Sequence, residues 1–151
     1  EKGDVRDAAE KAWRAIENIR KALLVAVKIP YDTAKTIASG VPLFSRILKA
    51  LGKGDLLRMY FYFNSSLHTL GFYEMITPED ELEDIIRNEV STWIEKMIAV
   101  IESIKHIDLS HIVDIVEKMN KVKAEILRKS NEYFNLNNQL KREILMVIAS
   151  K

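Results

Sequence analysis

The sequence predicts an all-α protein, an antiparallel bundle of about six helices. Three observations carry the fold class. Apolar residues recur at three- and four-residue spacing along most of the chain. The interruptions fall at Pro, Gly, Asp and Asn, which end or cap helices. No stretch alternates apolar and polar residues in the manner of a half-buried strand.

Asp4 is placed to cap a first helix in which Val5, Ala9, Trp13, Ile16, Leu23 and Val27 share one face and Pro30 is the stop. Asp7 with Lys11, Glu10 with Arg14 and Glu17 with Lys21 stand four apart, acid first, and predict a solvated opposite face. A loop over 31–40 leads to a short helix from Pro42 to Gly52. A third helix runs from Asp55 to about Tyr73, with aromatic residues on all sides. Thr77 and Pro78, followed by acids, open a long fourth helix to Ile104. Asp108 starts a fifth, the asparagine-rich run over 131–138 breaks it, and Leu140, Ile144, Val147 and Ile148 form a last short one.

A chain of 151 residues, 48% apolar and 30% charged, is long enough to bury one core and too hydrophobic to stay disordered. The expected organisation is a single helical domain over 1–151, with a bundle over 1–105 and additional helices over 106–151. A net charge of +1 provides no global field toward nucleic acid or anionic membrane. Locally, eight basic residues against two acids between Arg20 and Arg58 fit ordinary solvated helix faces or, as the sharper alternative, a local anion site. With no cysteine, thiol catalysis, thiolate metal ligation and disulfides are all excluded. The apolar runs are too short to span a bilayer, and the expected location is cytoplasmic.

No phosphate-cradling glycine loop, nucleophile elbow or metal-binding helix motif is present. His106 and His111 are five apart, unsuited to chelation from one helical face, so neither a metal nor a cofactor is expected. Arg20 falls on the inward arc of the first helix, and Asn64 and His68, four apart, on that of the third. A cation, an amide and an imidazole converging on one point would suit a phosphate or an oxyanion, with His68 as general acid or base. The alternative is that each is satisfied internally.

Gly3-Asp4, Ala8-Ala9-Glu10-Lys11-Ala12-Trp13 and Lys21-Ala22-Leu23, with Leu67-His68-Thr69-Leu70-Gly71-Phe72-Tyr73-Glu74, resemble the archaeal PaREP-type proteins over about the first two thirds of the chain. These are grouped with the HEPN superfamily of helical bundles. The resemblance implies an antiparallel, often dimeric bundle in a group largely without assigned activity. Many HEPN-like proteins are metal-independent ribonucleases with an Arg followed four to six residues later by a His. Arg87-Asn88 begins such a motif, but Thr92 stands where a His is expected, so the activity is not carried over.

The expected function is a non-enzymatic binding or interaction module, dimeric, taking a small anionic ligand or RNA through Lys11, Trp13, Lys21, His68 and Tyr73. The alternative is a metal-independent ribonuclease or nucleotide-processing enzyme using Arg20, Asn64 and His68. Convergence of Arg20 and His68 in one pocket would favour the enzyme.

Overall fold

A computed structural model describes residues 2–150, with side-chain environments from Asp4 onward. Among them there is no strand, and the chain forms six continuous helices, an all-α bundle. These are α1 (Lys2–Ala26), the single turn α2 (Tyr31–Ala34) and α3 (Ile37–Ala50); α4 (Gly54–Phe63), running on as a π-helical segment π1 (Asn64–Tyr73); α5 (Glu79–Asp84), a second π segment π2 (Ile85–Val90) and α6 (Ser91–Ile104) in one run; and, after a 3₁₀ turn at Ser110–Ile112, α7 (Val113–Ala149). The chain divides into two compact units, Glu1–Ser110 and His111–Lys151.

In the first unit α1 is the axis, packing on α2, α3, π1, α5, π2 and α6. Its Ile16, Leu23 and Leu24 are sealed from solvent, as are Phe44, Leu48, Phe63, Leu67, Leu82 and Met97 on the elements around it. Trp93 of α6 packs edge-on against Phe63 and donates its indole N–H to the Leu56 carbonyl at 2.9 Å, so a buried polar group is satisfied without water. The pairing of α1 with α4 and π1 is antiparallel. Arg6 reaches Gly71, Glu10 reaches His68, and Glu17 reaches Tyr60.

Several boundaries differ from the sequence reading. The 31–40 segment is not a loop: Thr36 caps α3, its hydroxyl accepting from the Ser39 amide at 3.2 Å, and the helix passes through Pro42. The first helix stops before Pro30, because Lys28 turns left-handed (φ 70°) and the Ile29 amide bonds back to the Leu24 carbonyl. Asp4 and Asp55 lie inside the first turns of their helices rather than at the caps. Thr77 does not cap either, its hydroxyl donating to the Ser66 carbonyl at 3.1 Å.

The largest correction is α7, a single helix of 37 residues where a break over 131–138 was expected. Asparagine costs a helix only a few tenths of a kcal/mol per residue, and the stretch holds no Pro or Gly. Side-chain pairs brace the helix at either end of it: Glu125 with Lys129 and Arg128 with Glu132 at the start, and Gln139 with Glu143 after the end. No residue of α7 is buried.

Candidate functional site

The face of α1 that meets α4 and π1 carries Glu10, Trp13, Glu17 and Arg20, spaced three and four apart and therefore on one arc of the helix. The expectation that Glu10 and Glu17 point to solvent is overturned. Glu10 is buried, and the Glu17 side chain is 18% exposed. Burial by the antiparallel partner explains the difference, since the same side chains on an isolated helix would pair with Arg14 and Lys21. Glu10 keeps a loose contact with Arg14 at 3.6 Å, whereas Glu17 turns inward.

Arg20 has no exposed surface. Its Nη2 donates to Glu17 Oε2 at 2.9 Å, its Nε to the same oxygen at 3.2 Å, and its Nη1 to the Ala34 carbonyl at 2.8 Å. This is a fork contact that satisfies a desolvated cation from both sides. Gly40 makes room for it: a Cβ there would collide with the Ala34 carbonyl oxygen and with Arg20 Nη1. The Tyr60 hydroxyl donates to the other carboxylate oxygen of Glu17, completing a buried Tyr60–Glu17–Arg20 chain.

Burial, and then the bond to Glu17, pushes the Tyr60 hydroxyl above the ordinary tyrosine range. A pKa raised in the folded state means that the protonated form supports folding. Its contribution is fully present below the unfolded pKa of about 10 and is lost as pH rises through the higher folded value. In an ultraviolet titration, the tyrosinate signal that Tyr60→Phe removes should appear only together with unfolding. Its appearance near pH 10 in folded protein would contradict the assignment.

Beside this chain lies a cavity of about 250 Å³ lined by Trp13, Glu17, Ile37, Val41, Tyr60, Phe61, Asn64 and His68. The His68 imidazole stacks on Trp13 with centroids 5.6 Å apart, meets the ring of Tyr73 edge-on at 4.8 Å, and holds Glu10 Oε2 from Nδ1 at 2.8 Å. Tyr60 closes on Trp13 at 5.4 Å. His68 and Asn64 belong to π1, and π segments are rare insertions that re-aim side chains. Gly71 permits the winding of π1 and its approach to α5: a Cβ would stand 2.6 Å from the Ser66 carbonyl of the same segment and 2.8 Å from Leu82.

Of the residues singled out from sequence, Trp13, Asn64 and His68 are brought together around the cavity, and Tyr73, largely exposed, leans on His68. Arg20 does not join them. It stands behind Glu17, which takes the place at the cavity wall, so the grouping of Arg20, Asn64 and His68 around one ligand is not formed. Lys11 points outward and pairs with Asp7 at 3.2 Å; Lys21 is partly exposed on α1 and lines no part of the cavity. Glu10, Glu17 and Tyr60 were missed. For the two acids the signal was the three- and four-residue spacing with Trp13, which outweighs the acid-first pairs once a partner helix is present; Tyr60 carried none beyond its place in an aromatic-rich helix. Among the described residues no cluster of three or more His, Asp or Glu is placed to hold a metal ion, and no helix is long and apolar enough to cross a membrane.

Searches among curated proteins and among solved structures return no match. The sequence model of the archaeal PaREP1/PaREP8 family matches residues 1–92, which include α1 to π2 and every residue of the cavity. With well over half of its length matched, the chain belongs to the archaeal PaREP1/PaREP8 family.

Proposed function

We propose that the first unit is a small-molecule binding module whose ligand is a compact organic cation, such as a quaternary or methylated ammonium, held in the cavity between α1, α3, α4 and π1. The observation that carries the reading is the wall chemistry. Three aromatic side chains, Trp13, Tyr60 and Phe61, border a space that also meets the Glu17 carboxylate and the Asn64 amide. Aromatic faces attract cations, most strongly when water is excluded. The volume lies just below the range typical of drug-sized ligands, which favours a small one.

An anion, the ligand expected from sequence, is less well served. The nearby cation, Arg20, is fully buried and spent on Glu17 and the Ala34 carbonyl. Lys11 and Lys21 lie outside the cavity lining. An entering phosphate would meet the Glu17 carboxylate and ring faces with no lysine or arginine in the wall, at a desolvation cost of several kcal/mol.

Titration calorimetry with tetramethylammonium and choline, read in parallel with Trp13 fluorescence in a Trp93→Phe background, tests the reading. Saturable binding is expected, abolished by Val41→Trp, which fills the cavity, and weakened about tenfold or more by Trp13→Leu. Silence toward cations together with saturable binding of orthophosphate or a mononucleotide would overturn it.

One observation supports the catalytic alternative: Glu10 orients the imidazole of His68 at the cavity edge, as a carboxylate orients a general base. Metal-independent cleavage of RNA that disappears in His68→Ala would establish that reading. The quoted α1 residues and the segment over 67–74 support the finer placement of this bundle among HEPN-like folds. The lack of cysteine and of a spanning helix among the described residues supports a cytoplasmic location.

A further inference from the structure

We infer that α7 is an antiparallel self-association helix, which pairs with α7 of a second copy of this chain about a two-fold axis passing between Phe134 and Asn135. The inference stands on residues outside the cavity and outside the family match, and so is independent of the ligand reading.

The first ground is the period. Met119, Ile126, Tyr133, Leu140 and Val147 follow one another at intervals of seven, all exposed. A second line, also at intervals of seven and four residues ahead of the first, holds Ile115, Val122, Lys129, Leu136 and Glu143. Two interleaved lines with a seven-residue repeat are the seam of a left-handed coiled coil, and they call for another helix rather than a flat surface or a globular pocket. The seam from Ile115 to Val147 is about 48 Å long at 1.5 Å per residue. In the first unit α1 is already wrapped by its neighbours, and α6 has Trp93, Met97, Val100 and Ile104 buried. Among the described residues no other helix has this length and repeat, and a second copy of the chain supplies one.

The second ground is charge, which also fixes the orientation. Two positions of the seam are ionic, Lys129 and Glu143. A parallel pair in register would set Lys129 against its own copy and Glu143 against its own copy, both repulsive. In the antiparallel pair Tyr133 faces Leu136 of the second copy, and Val122 faces Val147. Lys129 then faces Leu140 of the second copy, whose Glu143 is three residues further along the axis, about 4.5 Å. The symmetry makes that opposite-charge contact twice. On the flanks Ser130 meets Asn137 and Glu132 meets Gln139, so no like charges face each other. Lys129 and Glu143 are held to α7 only by surface contacts, with Glu125 at 3.4 Å and Gln139 at 3.1 Å, and are free to turn across the seam.

The third ground is area. Within the overlap each copy contributes seven apolar seam residues and Ile144 beside them. At roughly 100 Å² each this covers on the order of 800 Å² per copy, what a stable protein pair typically buries on one side.

Sedimentation equilibrium on the full chain tests the proposal. The wild type is expected to be dimeric. Lys129→Glu and Glu143→Lys should each weaken association at least tenfold, by placing like charges together twice. The combined exchange Lys129→Glu with Glu143→Lys should restore it. Orientation is read independently from a spin label on Ala124→Cys, the single thiol in the protein, with helicity checked by circular dichroism. Antiparallel pairing sets the two labels about 30 Å apart or more, from twenty-one residues of axial offset. A monomeric wild type, failure of the double exchange to restore association, or labels within about 20 Å of each other would each overturn the proposal. Binding at the cavity should be unchanged in all of these variants, so that loss of one reading leaves the other standing.

Discussion

Arg20→Met is expected to lower the unfolding free energy by about 3 to 5 kcal/mol, the range for removing one partner of a buried, hydrogen-bonded ion pair. The side chain is fully sealed, and its removal strands the Glu17 carboxylate and the Ala34 carbonyl at once. Methionine fills much of the space, so that the loss reports the uncompensated polar groups more than a void. In a denaturant series the midpoint should fall with little change in slope. Adding Glu17→Gln removes the stranded charge while leaving an acceptor for the Tyr60 hydroxyl, and should recover a substantial part of the loss. If the double variant is as unstable as the sum of the two singles, the pair is not acting as a unit.

The second large effect is expected at Gly40, a residue that the sequence shows only as part of a Ser-Gly pair. Gly40→Ala ought to destabilise by about 2 to 3 kcal/mol, because the added methyl meets the Ala34 carbonyl oxygen and Arg20 Nη1 in a region with no spare volume. Alanine is ordinarily the better helix former by about 1 kcal/mol, so a loss of stability here reverses the usual sign. The Arg20 part of the collision disappears in Arg20→Met, whereas the backbone part does not. Gly40→Ala should therefore cost less in the Arg20→Met background than in the wild type, and equal costs in the two backgrounds would show that Arg20 does not press on this position.

Arg20, Gly40, Glu17 and Tyr60 also show where sequence reasoning stops. The inward placement of Arg20 was legible from its step along α1, because one helix and its period suffice to define a face. Its partners were not legible. Glu17 stands three residues before Arg20 and four before Lys21, and an isolated helix allows either pairing. Packing of α2 and α3 against α1 decides between them by burying Arg20 beside the Ala34 carbonyl and Gly40 and leaving Lys21 partly exposed. The antiparallel contact with π1 turns Glu10 toward His68 rather than to solvent.

The asparagine-rich segment failed for a different reason. Propensity differences of a few tenths of a kcal/mol are too small to end a helix unless Pro, Gly or a competing turn joins them, and α7 contains none of these. Conversely, the 31–40 segment looked like a loop because Ser39-Gly40 precedes Pro42, yet Gly40 serves close packing and Thr36 supplies the cap.

By itself the sequence determined the all-α class, the helices of α1, of α4 with π1 and of α5 to α6, most of their core faces and the exclusion of thiol chemistry, since periodicity and composition are local properties. It also carried the resemblance to the PaREP-type proteins, which the family match bears out over residues 1–92. Only the tertiary structure decided which polar side chains on those faces meet. A helix of 3.6 residues per turn offers each inward position several neighbours at similar distance, and the choice among them depends on the register of α1 against α4 and π1, which no single helix encodes. That register placed Glu17 instead of Arg20 at the cavity wall, with Arg20 paired behind it.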